Sequence, residues 1–172
     1  MTKALLALHV LVAIIAIGPI TVAAGMFPAA TRRAAASGAD RDHAVVAALH
    51  RICRVYAVVG LAVPVLGFGT ASSLGVLGDA WLIASIVLTA AAAAVLAVGV
   101  LPRQAALLGD EGVTALPGDK GVTALPGDKG VTGARAEART VARLTSYTGI
   151  FNLLWVIVTV LMIVRPGSTT GA

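Results

Sequence analysis

A single cysteine, Cys53, stands in the 172-residue chain. An intrachain disulfide and a CxxC metal site are therefore excluded. Charge is also scarce: charged residues make up 12% of the sequence, about half of the roughly 25% in a soluble domain. The 8 acidic residues all fall outside the long apolar runs. A small multidrug-type exchanger needs a carboxylate inside the bilayer to bind protons or cations, so that class is disfavoured. HExxH, GxSxG and P-loop patterns are missing too. The expectation is that the chain is not an enzyme and has no catalytic, cofactor-binding or metal site. The formal net charge is +5, but the basic residues are few and flank apolar runs. We read them as a membrane-topology signal, with no nucleic-acid partner implied.

What the sequence has in abundance is apolar length, at 58% hydrophobic residues. Residues 4–27 carry no formal charge, and their one strongly polar side chain is His9. At about 1.5 Å per residue this run can cross a hydrocarbon core of about 30 Å. Gly18-Pro19 should kink it, and Gly25-Met26-Phe27-Pro28 should end it. A loop with Arg32, Arg33 and the break Ser37-Gly38 follows, with Asp40 as the N-cap of the next helix. The membrane part of that helix is expected at about 55–74, made irregular by Pro64, Gly67 and Gly69. After a turn without Lys or Arg, a third span is expected at 80–101, with Trp81 at an interface and Gly99 to Pro102 as its end. Ser85, Thr89, Ala93 and Ala97 form a small-residue stripe suited to close helix packing. A fourth span covers 144–164 and is closed by Arg165-Pro166. The expected fold is all-α: one integral membrane domain over residues 1–172, built as a four-transmembrane-helix bundle.

Residues 109–133 are of low complexity, with GVTALPGDK at 112–120 and again at 121–129. Gly, Pro and Asp favour turns, and glycine does not recur strictly at every third position, so a flexible cytoplasmic insert is expected and a collagen-like helix is not. Residues 134–143 read as helix. Arg135, Arg139 and Arg143 share one face, either solvated or lying against anionic headgroups.

Of the 13 Lys and Arg residues, only Lys3 and Arg165 lie outside the two long basic segments. The positive-inside rule then puts both termini outside and both segments in the cytoplasm. Cleavage after Ala24, where Val22-Ala23-Ala24 imitates a signal-peptide site, would strand Arg32 to Arg54 outside and is disfavoured. The Ala, Gly and Arg bias fits a high-GC bacterium, hence the plasma (inner) membrane. The halves look alike: Gly25/Pro28 pairs with Gly99/Pro102 and Tyr56 with Tyr147, suggesting two parallel helix-hairpin repeats.

Inside the bilayer, His9 is expected to face the bundle, with Ser85 and Thr159 at similar depth and Asn152 roughly 10 Å further in. These residues form the candidate intramembrane polar site. Arg51, Arg54, Arg135, Arg139 and Arg143 are expected to face headgroups, and His50 to snorkel beside Arg51. His9 and His50 should sit at opposite faces, too far apart for one haem. Met26, Cys53, His50 and Met162 are scattered soft or borderline copper ligands. The pattern Leu8-His9-Val10, Pro28 before Arg32-Arg33, and Arg54 before a Gly/Pro-rich helix resembles small four-helix bacterial membrane proteins of unknown function. Those proteins are loosely similar to the CopD-type copper-resistance membrane domain. Ala16 to Pro19 stands where that group often has tryptophan and Gly-Gly. The resemblance implies an inner-membrane protein without an assigned reaction. Three readings stay open: a partner or assembly subunit, acting as a homo-oligomer or with another membrane protein; a small-solute carrier or channel using broken helices 1 and 2; and a metal or haem protein through His9.

Overall fold

The computed structural model describes residues 2–109 and 131–167. Its elements are α1 (Thr2–Ser37), α2 (Asp40–Gly60), α3 (Ala62–Leu74), α4 (Ala80–Ala94), a π-helical segment (Val95–Val100), α5 (Leu101–Leu108) and α6 (Val131–Val164). The fold is all-α. Joined end to end, these elements give four helices long and apolar enough to cross a membrane. The longest, 35 residues each, would span about 52 Å. A bilayer core takes about 30 Å, so the helices run well beyond it.

That surplus corrects the expected helix ends. Pro28 does not stop α1, which continues to Ser37. Proline removes one hydrogen bond, but the alanine-rich run after it favours helix, and Phe27, Thr31 and Ala34 are buried. Arg32 and Arg33 are therefore on a helix and not in a loop. The turn is only Gly38-Ala39, with Gly38 at φ 61°, where a side chain would be strained. Asp40 is not the N-cap: Ala39 holds that position, and Asp40 and Asp42 occupy the first turn, where the helix dipole favours carboxylates. Ser37 Oγ accepts from the Ala39 N–H and donates to the Asp42 carboxylate.

The second crossing breaks at Leu61, between α2 and α3. Pro64 has no N–H for the Gly60 carbonyl, which accounts for the irregularity there. The third crossing passes Pro102 and ends at Gly109, left-handed at φ 68°. Val131 already begins α6, so the expected insert is shorter at its C-terminal side. The rest of it, 110–130, lies outside the described residues.

α1 packs along α2 and α3, while α4, the π segment and α5 pack along α6. The two hairpins meet through α1 against α6 and through α2 against α5. The central core joins Ile20, Ala24 and Phe27 of α1 with Ala92 of α4 and Phe151 of α6. A second cluster, Ala71, Trp81 and Leu82, closes the end where α3 turns into α4. There Trp81 Nε1 donates to Asp79 Oδ2 at 2.9 Å, and the Arg165 guanidinium lies 5.6 Å from the indole centroid.

Candidate functional site

Polar side chains gather inside the bundle at two levels. At one end of α1, His9 is 7% exposed. Its ring lies beside the Val63 backbone and against Gly67, where an added Cβ would fall 3.0 Å from His9 Cε1. The α1–α3 contact made possible by Gly67 therefore houses the imidazole. Nδ1 is buried without a partner.

The other expected members of this site do not hydrogen-bond to His9. Ser85 is fully buried but donates to the Trp81 carbonyl at 2.8 Å. Thr159 is exposed and donates to the Trp155 carbonyl at 2.8 Å. Both hydroxyls fold back on their own helix, the usual outlet for Ser and Thr in apolar surroundings. Asn152 lies on α6 with Oδ1 buried and unpartnered, as are Thr148 Oγ1 and Trp155 Nε1. At spacings of four and three residues, these groups share one helix face.

The second level was not foreseen. His50 of α2 is 5% exposed, and Gln104 of α5 is completely buried. Gln104 Nε2 donates to Cys53 Sγ at 3.6 Å, which turns its Oε1 toward His50 Nδ1, 3.1 Å away. Nδ1 therefore carries the proton. His50 is thus anchored inside the bundle and does not snorkel. Sequence reasoning missed Gln104 because Pro102 was read as a helix end. The missed signal was the apolar continuation Ala105 to Leu108, which keeps a helical period past the proline.

Arg51 and Arg54, one turn apart on the exposed side of α2, border a groove of about 520 Å³ that is also lined by His50, Val55 and Val58. Arg135, Arg139 and Arg143 are exposed on α6. Of the scattered copper candidates, Cys53 and His50 share Gln104, whereas Met26 is 54% exposed on α1. Among the described residues, no three His, Cys, Asp or Glu side chains stand close enough together to hold a metal ion.

A further unit surrounds Pro102. The π segment brings Gly99 so close to α6 that an added Cβ would stand 2.8 Å from Tyr147 Cδ1. Arg103 donates to the carbonyls of Val98 (3.2 Å) and Gly99 (2.8 Å). Its guanidinium also covers the Tyr147 ring at 4.3 Å. Comparison of the chain with protein-family models, curated proteins and solved structures finds no match.

Proposed function

We propose that this chain is a multi-pass subunit of a bacterial plasma membrane that works by association within the bilayer, with another membrane protein or with a second copy of itself. One observation carries the reading: the bundle turns small residues outward. Ala90, Ala93, Ala94 and Ala97 are all exposed on the third crossing. Small residues on a transmembrane surface let a second backbone approach closely, and dispersion contacts then hold the pair. The expected stripe is split by this geometry, because Ser85 faces the core while Ala93 and Ala97 face out. The same reading puts both termini outside, since Arg32 and Arg33 of α1 and the arginines of α2, α5 and α6 share one end of the bundle, with Lys3 at the other.

The test is native mass spectrometry after mild extraction, with the Ala93→Leu/Ala97→Leu double variant beside the parent chain. A complex in the parent that the variant loses is the expected result. A parent that stays monomeric and partner-free overturns the reading. Reporter fusions at the C-terminus test the orientation separately.

A carrier for a small polar solute is the second reading, favoured by the unpartnered Thr148, Asn152 and Trp155 groups on one face of α6. The buried side chains of Ile20, Phe27 and Phe151 fill the centre of the bundle, so transport requires the hairpins to part. Solute flux into proteoliposomes checks this reading.

A further inference from the structure

We infer that the groove on α2 is a binding site for the phosphate headgroup of an anionic membrane lipid, and that it favours a phosphomonoester over a phosphodiester. The inference needs only membrane insertion and is independent of the subunit reading. It starts from His50. A structural histidine that spends one nitrogen on a buried amide usually satisfies the other or leaves it wet. Here Nε2 is buried and unpartnered, a costly arrangement in the absence of a ligand. The ring is also oriented from behind, because Gln104 and Cys53 fix which nitrogen donates. The His50 ring lines the groove that Arg51 and Arg54 border.

The two guanidiniums repel each other until an anion joins them, and their planar forks suit phosphate oxygens. A phosphate held there meets two cationic donors, Arg51 and Arg54, beside the His50 ring. A phosphodiester brings a single negative charge. A phosphomonoester, with its second ionisation near about pH 6, brings about −1.5 to −2 at neutral pH. That extra charge, set against two guanidiniums, gives the site its preference.

The lipid origin of the phosphate follows from the lower part of the groove. Val55 and Val58 line it on the side toward the apolar span and are 50% and 70% exposed. From Arg51 to Val58 the helix rises about 10 Å, against a headgroup layer of roughly 5–8 Å on each side of the core. One helix face therefore presents cations at phosphate level and bare valines where acyl chains begin. Free phosphate would use the arginines and leave the valines uncovered.

Native mass spectrometry of the full chain tests this, with phosphatidate, phosphatidylglycerol and phosphatidylcholine of matched acyl chains, and with inorganic phosphate as competitor. Phosphatidate should be retained best, phosphatidylglycerol next and phosphatidylcholine least. The Arg51→Gln/Arg54→Gln variant, altered only at exposed positions, should lose about thirtyfold in phosphatidate retention, the loss of two arginine–headgroup attractions. The preference of phosphatidate over phosphatidylglycerol should shrink below about pH 6, where the monoester also carries a single charge, and an unchanged preference there overturns its charge basis. Equal retention of all three lipids, or unchanged retention in the arginine variant, overturns the site. Displacement of the lipid by millimolar inorganic phosphate overturns the lipid assignment, because phosphate alone would then suffice.

Discussion

Pro28 and Pro102 stand three residues after a glycine, each on a helix that crosses from the same face, yet their surroundings differ. Around Pro28 the chain remains regular α-helix, and Gly25 is exposed with nothing within 4 Å of a would-be Cβ. Around Pro102 the helix widens into a π segment, Gly99 is pressed onto Tyr147, and Arg103 closes over both. Proline leaves the carbonyl four residues back without its N–H. For Pro102 that carbonyl belongs to Val98, and it receives the Arg103 guanidinium. The corresponding residue after Pro28 is Ala29, which has nothing to donate. A sequence likeness between the halves thus becomes two different local structures. The deciding residue is the one after the proline, a position that the repeat pairing left out.

The largest expected effect separates the two glycines. Gly99→Val should destabilise the protein by about 1–3 kcal/mol, as overpacking in a filled core does, and the same change at Gly25 should do far less. Thermal unfolding of both variants in detergent reads the difference. Equal losses would mean that the close contact with Tyr147 does not exist. A Gly99→Val/Tyr147→Leu double variant should recover part of the loss, since contacting residues couple.

Arg103→Ala comes next. It removes a charged donor from two carbonyls and a cation from the Tyr147 face. A partly solvated site of this kind should lose about 1–2 kcal/mol. Lysine at 103 should restore less than half of it, because it cannot bridge both carbonyls and stack at once. Full rescue by lysine would reduce the role of Arg103 to its charge.

The four crossings were legible because apolar length is additive and needs no knowledge of contacts. The ends of the helices were not, because Pro, Gly and Arg carry different meanings in a soluble turn and in a helix that outruns the bilayer. Pro28 and Pro102 were read as stops on local chemistry, and tertiary packing of Thr31, Ala34 and Ala105 overrode it. His9 was legible as the one strongly polar residue of the first span, but its neighbour Gly67 was not. A glycine that accommodates a ring looks the same in sequence as one that loosens a helix. The His50–Gln104–Cys53 cluster joins residues 51 and 54 positions apart, and spacing along the chain does not reveal such a meeting.

A smaller effect probes the regular side of the comparison. Thr31 Oγ1 donates to the Phe27 carbonyl at 2.9 Å in a buried setting. Phe27 is not the residue whose carbonyl Pro28 leaves free, so this bond does not repair the proline. Thr31→Val is nearly isosteric and removes the hydroxyl, while the Phe27 carbonyl keeps its i→i+4 backbone partner within α1. The loss should stay below about 1 kcal/mol. A larger loss in thermal unfolding would show that the hydroxyl does for α1 what Arg103 does for the third crossing.

Gly25→Ala should have the smallest effect, and its sign is informative. Gly25 is helical and exposed, with open space where a Cβ would go. In an exposed helix interior, alanine is favoured over glycine by up to about 1 kcal/mol, because glycine loses more backbone freedom on folding. In the isolated bundle, Gly25→Ala should therefore raise the unfolding temperature slightly, whereas Gly99→Ala should lower it through the clash with Tyr147. The opposite signs arise from one substitution at two positions that the sequence pairs. In the native membrane a further constraint applies to Gly25. If a partner packs on this face of α1, the added methyl meets a backbone instead of lipid, and the stabilisation seen in detergent becomes a weaker complex. The measurement is the unfolding temperature of the purified bundle together with the yield of complex from mildly extracted membranes. A rise in the first with no change in the second places the partner surface elsewhere, on the exposed alanines of the third crossing. A fall in both would mean that Gly25 is packed within the bundle, and that the two proline-bearing helices are more alike than their surroundings show.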